Sequence, residues 1–136
     1  MPAPDPTPLL PFVVKFGEPD FEFGAWGGGQ TNDGVTQLPY FAFSADAQGF
    51  VSAAYQGNWV RGDIIWHGDE ERKRYARLTS EPGGIETANV DEIAHVLTTL
   101  IRGDRFNEGM LASAFEHGIV GRVLARVAVL AGNSVV

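Results

Sequence analysis

The sequence contains no cysteine. That absence removes disulfides, Cys-ligated zinc and iron–sulfur sites, and thiol nucleophiles together. Long apolar runs are missing as well. None approaches the ~18 residues that cross a bilayer as a helix, so no membrane partner is expected. Lysine is scarce, with only Lys15 and Lys73, and most arginines stand singly. Against 17 acidic residues the formal net charge is -7, with a pI near 4.8. Such a chain repels nucleic-acid phosphates unless a local basic patch intervenes, and no nucleic-acid partner is expected. The opening, MPAPDPTPLLPF, has neither the basic nor the apolar region of a secretory signal, which leaves the cytoplasm as the expected location.

What is present suits one domain. The chain has 136 residues, of which 44% are hydrophobic and 20% charged, an ordinary globular balance around a single core. Residues 1–8 carry four prolines and no packing pattern; they read as an extended, flexible arm. Residues 9–131 read as the globular domain and 132–136 as a tail. Within the domain, Leu9, Leu10, Phe12, Val13 and Phe16 form a short apolar segment in which Pro11 suits only a first helical turn. Phe21, Phe23 and Ala25 alternate with Glu22 and Gly24 at strand period. Asp33-Gly34 is a turn signal, and Val35 to Phe43 resumes an extended run. Residues 21–43 are therefore expected to form a small aromatic hairpin that lies on helices.

Helical signals dominate the remainder. Ser44 is a good N-cap; Ala47, Phe50, Val51, Ala54 and Tyr55 share a face, and Gly57 closes the helix. Residues Asp63 to Thr79 are expected as a second helix capped by Asp63, with Ile64, Ile65, Tyr75 and Leu78 as anchors, although Gly68 weakens it. Asn89 with Glu92 makes a capping box, after which Val90, Ile93, Leu97, Leu100 and Ile101 form a buried row that stops at Gly103. Asp104 is expected to cap the next helix, ending at Gly118, and Val120, Val123, Leu124, Val127 and Leu130 define the last. The fold class expected is α+β and predominantly α, with about five helices, a small two-stranded β-hairpin packed on them, and a C-terminal three-helix unit.

Chemical motifs are sparse. Trp26-Gly27-Gly28-Gly29 fits neither phosphate-loop pattern. Glu92 and His95 form one E-x-x-H pair, but di-iron bundles use it twice and Glu92 already has a capping role, so no metal and no cofactor is expected. Neither G-x-S-x-G nor H-E-x-x-H occurs. Asp104, Glu108 and Glu116 recur at multiples of four along the helix expected there, with Arg102 and Arg105 beside its start. Such a row is ordinary on a solvated face. In a cleft facing the hairpin it would be functional, with Arg105 holding an anionic group. Gly109, read as a helix-interior glycine, costs ~1 kcal/mol against alanine and implies tight packing or ligand access.

The runs Gly103-Asp104-Arg105-Phe106-Asn107-Glu108-Gly109-Met110-Leu111, Phe115-Glu116-His117-Gly118 and Val123-Leu124-Ala125-Arg126 resemble a family of small bacterial proteins known only as domain of unknown function 6508. Trp26, Asp33-Gly34, Pro39-Tyr40, Phe50 and Trp59 resemble its N-terminal pattern. The similarity spans about residues 10–130 and is loosest from His67 to Arg77. It supports the fold and implies no reaction. The leading functional expectation is a small soluble non-enzymatic binding module, as in a bacterial stress or phage-conflict accessory factor. It would recognise a protein partner or a small anionic ligand through Trp26, Asp33, Tyr40, Trp59, Asp104, Arg105, Glu108 and Glu116. The alternatives are a hydrolase or lyase using the C-terminal carboxylates, and a homodimer through the last helix, where Ala128, Val129 and Ala131 leave an apolar outer side.

Overall fold

The computed structural model describes residues 3–18, 21–27, 29, 31–36, 40–104 and 109–132, without the side chains of residues 26, 32, 36, 40 and 41. Six α-helices are described: α1 (Leu10–Lys15), α2 (Ala45–Gln56), α3 (Asp69–Ser80), α4 (Val90–Gly103), α5 (Met110–Glu116) and α6 (Ile119–Leu130). The strands make two antiparallel ladders. Strand β1 (Gly24–Gly27) pairs with β4 (Tyr40–Phe43), and β2 (Thr31–Asn32) pairs with β3 (Val35–Thr36). Register runs from Gly24 opposite Phe43 to Asn32 opposite Val35. The two turn residues, Asp33 (φ 51°) and Gly34 (φ 79°), both have positive φ. That is the type I′ geometry that matches strand twist.

At the hairpin base the chain passes directly into α2. The Ser44 N–H donates to the Phe23 carbonyl (2.8 Å), while its hydroxyl caps α2 by accepting from the Ala47 N–H (3.1 Å). One end of the hairpin is thus clamped to the helical body. Aromatic rings secure the rest of the joint. Phe115 on α5 stacks on Phe23 (5.1 Å, 5° between planes) and meets Phe16 and Phe50 edge-on at 5.4 and 5.9 Å. Offset-stacked and edge-to-face pairs add to the area these rings bury.

Helix α4 is the centre of the core. Its capping box forms: the Glu92 N–H donates to Asn89 Oδ1 (2.8 Å) and the Asn89 N–H to Glu92 Oε1 (3.1 Å). Burial extends well beyond the expected apolar row. Every residue from Ile93 to Ile101 is buried, including His95, Thr98 and Thr99. These polar groups are satisfied locally, as buried polar groups must be. The Thr98 hydroxyl donates to the Trp59 carbonyl (3.0 Å) and Thr99 to the His95 carbonyl (2.7 Å). The His95 Nε2–H donates to the Glu71 carbonyl (3.1 Å) on α3. Helices α5 and α6 pack against α4 and each other, completing the three-helix unit.

Burial lowers the His95 pKa from its usual 6.5, with Arg74 acting in the same direction and Glu71 opposing. Folding thus favours the neutral ring. Between pH 6.5 and the lower folded pKa the unfolded chain binds the extra proton, so stability is complete above 6.5 and declines as pH falls below it. The slope is at most about 1.4 kcal/mol per pH unit. Urea melts from pH 7.5 to 5 are expected to show this decline in the native protein and a shallower one in His95→Gln.

Three local expectations are corrected. The helix expected over Asp63 to Thr79 starts only at Asp69. Gly68 is extended (ψ 165°) at its N-cap, and Asp69, Glu70 and Glu71 fill the first turn, where carboxylates favour the helix dipole. Residues 57–66 instead run as irregular chain against α4. Within residues 1–8, expected as a flexible arm, Asp5 is tied to the body. The Asp5 N–H donates to the Gly57 carbonyl (2.8 Å), and the Asp5 carbonyl accepts from the Trp59 indole N–H (2.8 Å). The third correction is the single helix expected to run from Asp104 to Gly118: among the described residues α5 starts at Met110 and ends at Glu116. Gly109 precedes it at φ 95°, a conformation that side chains with a Cβ resist. The glycine serves the left-handed backbone conformation of the residue that precedes α5, not a close approach within a helix.

Arginines stitch the C-terminal helix to the loops beneath. Arg122 grips both Glu86 oxygens (2.7 and 2.8 Å) and the Thr79 carbonyl (3.0 Å), which holds the Glu86 carboxyl down at about 2. Arg126 donates to the Ala88 carbonyl (2.7 Å). Val129, seven residues after Arg122 and so near it on the surface of α6, is 49% exposed.

Candidate functional site

Helix α2 presents two faces that serve different purposes. Ala47, Phe50, Ala53 and Ala54 are buried. Gln48, Val51, Ser52 and Tyr55, spaced i, i+3, i+4 and i+7, form an adjoining stripe at ~100° per residue. This stripe is one wall of a cleft of ≈370 Å³. Phe43 at the hairpin base, Ile101 and Asp104 at the end of α4, and Leu111 on α5 complete it. The volume lies within the range of small-molecule sites, and mostly apolar walls with a few polar groups are their usual composition.

Asp104 is the charged group of this lining. It stands at the C-cap of α4 and is half-buried. Its Oδ1 accepts from the Leu111 N–H (3.0 Å). The N-cap of α5 is Gly109, which has no side chain to cap with, so Asp104 satisfies an otherwise free N–H of that helix from seven residues upstream. The expected capping role is real, but it bridges two helices. Across the cleft, the Gln48 side-chain amide donates to the Phe43 carbonyl (2.9 Å), which holds α2 against β4 and leaves its Oε1 as an acceptor.

The proposed site residues do not all converge. Asp104 meets the base of the hairpin in the cleft. Trp59 is 1% exposed and its indole N–H is taken by Asp5; it has no ring face to offer. Asp33 is exposed in the turn at the far end of the ladders. Glu116 is exposed at the end of α5, so it does not continue a helical row from Asp104. Trp26 and Tyr40 belong to β1 and β4, and their side chains lie outside what the structure describes. Arg105 and Glu108 lie outside the described residues, as does Phe106.

Sequence reasoning missed the α2 wall. The available signal was the width of its apolar stripe. Val51 and Tyr55 were expected in the buried row, yet Val51 is half-buried and Tyr55 is 39% exposed. The E-x-x-H pair is occupied otherwise: Glu92 caps α4 and lies 3.8 Å from Arg77, while His95 faces Glu71.

The molecule is thus a mostly helical α+β domain with a lateral cleft beneath a small antiparallel hairpin. Residues 1–133 match the model of the Family of unknown function (DUF6508), and the chain belongs to that family. No curated protein and no solved structure matches it. None of its described helices is long and apolar enough to cross a membrane.

Proposed function

We propose that this protein is a non-enzymatic binding module whose site is the cleft between α2, the hairpin base and the α4–α5 junction. The observation that carries this reading is the half-buried Asp104 carboxylate at one side of an otherwise largely apolar cavity of ≈370 Å³. Such a cleft seats a small molecule against its apolar walls and orients it by a few polar contacts, of which Asp104 is the charged one. Among the described lining residues Asp104 has no second carboxylate, histidine or lysine beside it, so the acid–base pair that a hydrolase or lyase needs is not supported there. The version in which Arg105 holds an anion rests on a residue outside the described set.

The test is a thermal-shift screen with a metabolite library on the native protein and on Ser52→Trp. Ser52 is exposed on the α2 wall, so the indole fills the cleft without entering the core. A compound present at a hundredfold excess over its Kd stabilises by about 2.7 kcal/mol, which is several degrees in Tm. Hits are expected with the native protein and not with Ser52→Trp. Hits that persist unchanged in the variant would place binding elsewhere.

A further inference from the structure

We infer that the cleft takes a small molecule with an apolar body and one protonated amine. The inference rests on the cleft being the binding site and adds the chemistry of its occupant. Phe43, Val51, Tyr55, Ile101 and Leu111 supply apolar wall on three sides. Burial against them favours a ring or short hydrocarbon chain. Gln48, Ser52 and Tyr55 add neutral polar groups, and the one formal charge among the described lining residues is negative. Asp104 offers a carboxylate, and its Oδ1 is held in place by the Leu111 N–H. No donor among the described residues reaches its Oδ2. Gln48 spends one amide N–H on Phe43 and keeps an acceptor oxygen and a second N–H, neither of them charged. Among the described lining residues there is no lysine or arginine. A half-buried carboxylate with no cationic partner among the described lining residues attracts a cation and repels an anion, and the formal net charge of -7 adds to that bias. Charge-assisted N–H donation to a carboxylate is also the stronger kind of hydrogen bond. The described lining therefore favours an occupant of the opposite sign to the anionic ligand expected through Arg105.

Three probes with the same apolar body separate the possibilities: 4-phenylbutylamine, 4-phenylbutan-1-ol and 5-phenylpentanoate. Binding is read from amide shifts at Gln48, Ser52, Tyr55 and Leu111 in 1H–15N spectra of the full chain. The amine is expected to bind about tenfold more tightly than the alcohol, a difference of about 1.4 kcal/mol, with the carboxylate weakest. Asp104→Asn should bring the amine to the affinity of the alcohol. The Asn side-chain oxygen can still accept from Leu111, so the α5 start is preserved. On the native protein the amine should weaken between 20 and 500 mM NaCl while the alcohol does not. That salt comparison decides the matter if the variant does not fold. Equal affinity for all three probes, an amine preference that survives Asp104→Asn, or an amine insensitive to salt would overturn the inference and leave the cleft as a site. If no probe moves these amides, the proposed function falls with it.

Discussion

Trp59→Ala is expected to destabilise the protein by about 3–5 kcal/mol, the usual range for deleting a buried tryptophan. That is a large share of the stability of a small domain. Trp59 is 1% exposed, so the cavity left behind is closed off from water by its neighbours. Two connections are also at stake. Its carbonyl holds the Thr98 hydroxyl in the middle of α4, and its indole N–H holds the Asp5 carbonyl. Trp59→Phe separates these effects. The ring volume is largely kept and the carbonyl is unchanged, but the N–H is lost, with an expected cost of about 1–2 kcal/mol. Urea melts give the totals. Limited proteolysis near Asp5 should accelerate in both variants, because each loses the indole bond and leaves Asp5 held only by its N–H to the Gly57 carbonyl. A Trp59→Ala cost below 1 kcal/mol, or an N-terminus as resistant as in the native protein, would refute this anchor.

Phe115→Ala is expected to cost about 3 kcal/mol, the low end for phenylalanine because the ring is half-buried. The effect should be local first. Phe115 touches Phe16 from the α1 end, Phe23 before β1, Phe43 in β4 and Phe50 on α2. Its removal takes away the ring on which the hairpin base sits. A two-stranded ribbon is marginal without such support. Amide exchange in β1 and β4 should therefore speed up more than exchange in α4, and the Phe43 wall of the cleft should loosen with it. Phe115→Leu should recover part of the loss. Uniform acceleration across both regions would mean that the hairpin and the helices unfold as one unit.

Several features were legible in the residues because they depend on neighbours within a turn or two. Ser44 capping α2, the Asn89–Glu92 capping box and the Asp33-Gly34 turn are each closed by short-range hydrogen bonds or by backbone preference. The apolar row of α4 was legible for the same reason. What failed was the extrapolation of periodicity through glycine. Helical spacing joined Asp63 to Thr79 and Asp104 to Glu116, yet Gly68 and Gly109 each stand at a helix start. The row of acids then dissolves into Asp104 at the end of α4 and Glu116 at the end of α5.

By itself, the sequence determined a helical domain with an aromatic hairpin, its principal caps, and the apolar side of its central helix. These are local choices with local energies. The tertiary structure alone decided that residues 57–66 and α3 would cover the other side of α4, that Asp5 would be pinned by an indole 54 residues away, and that Asp104 would meet the second face of α2. Each of these is a contact between segments distant in the chain. Side-chain spacing along one helix carries no information about which distant segment arrives to meet it.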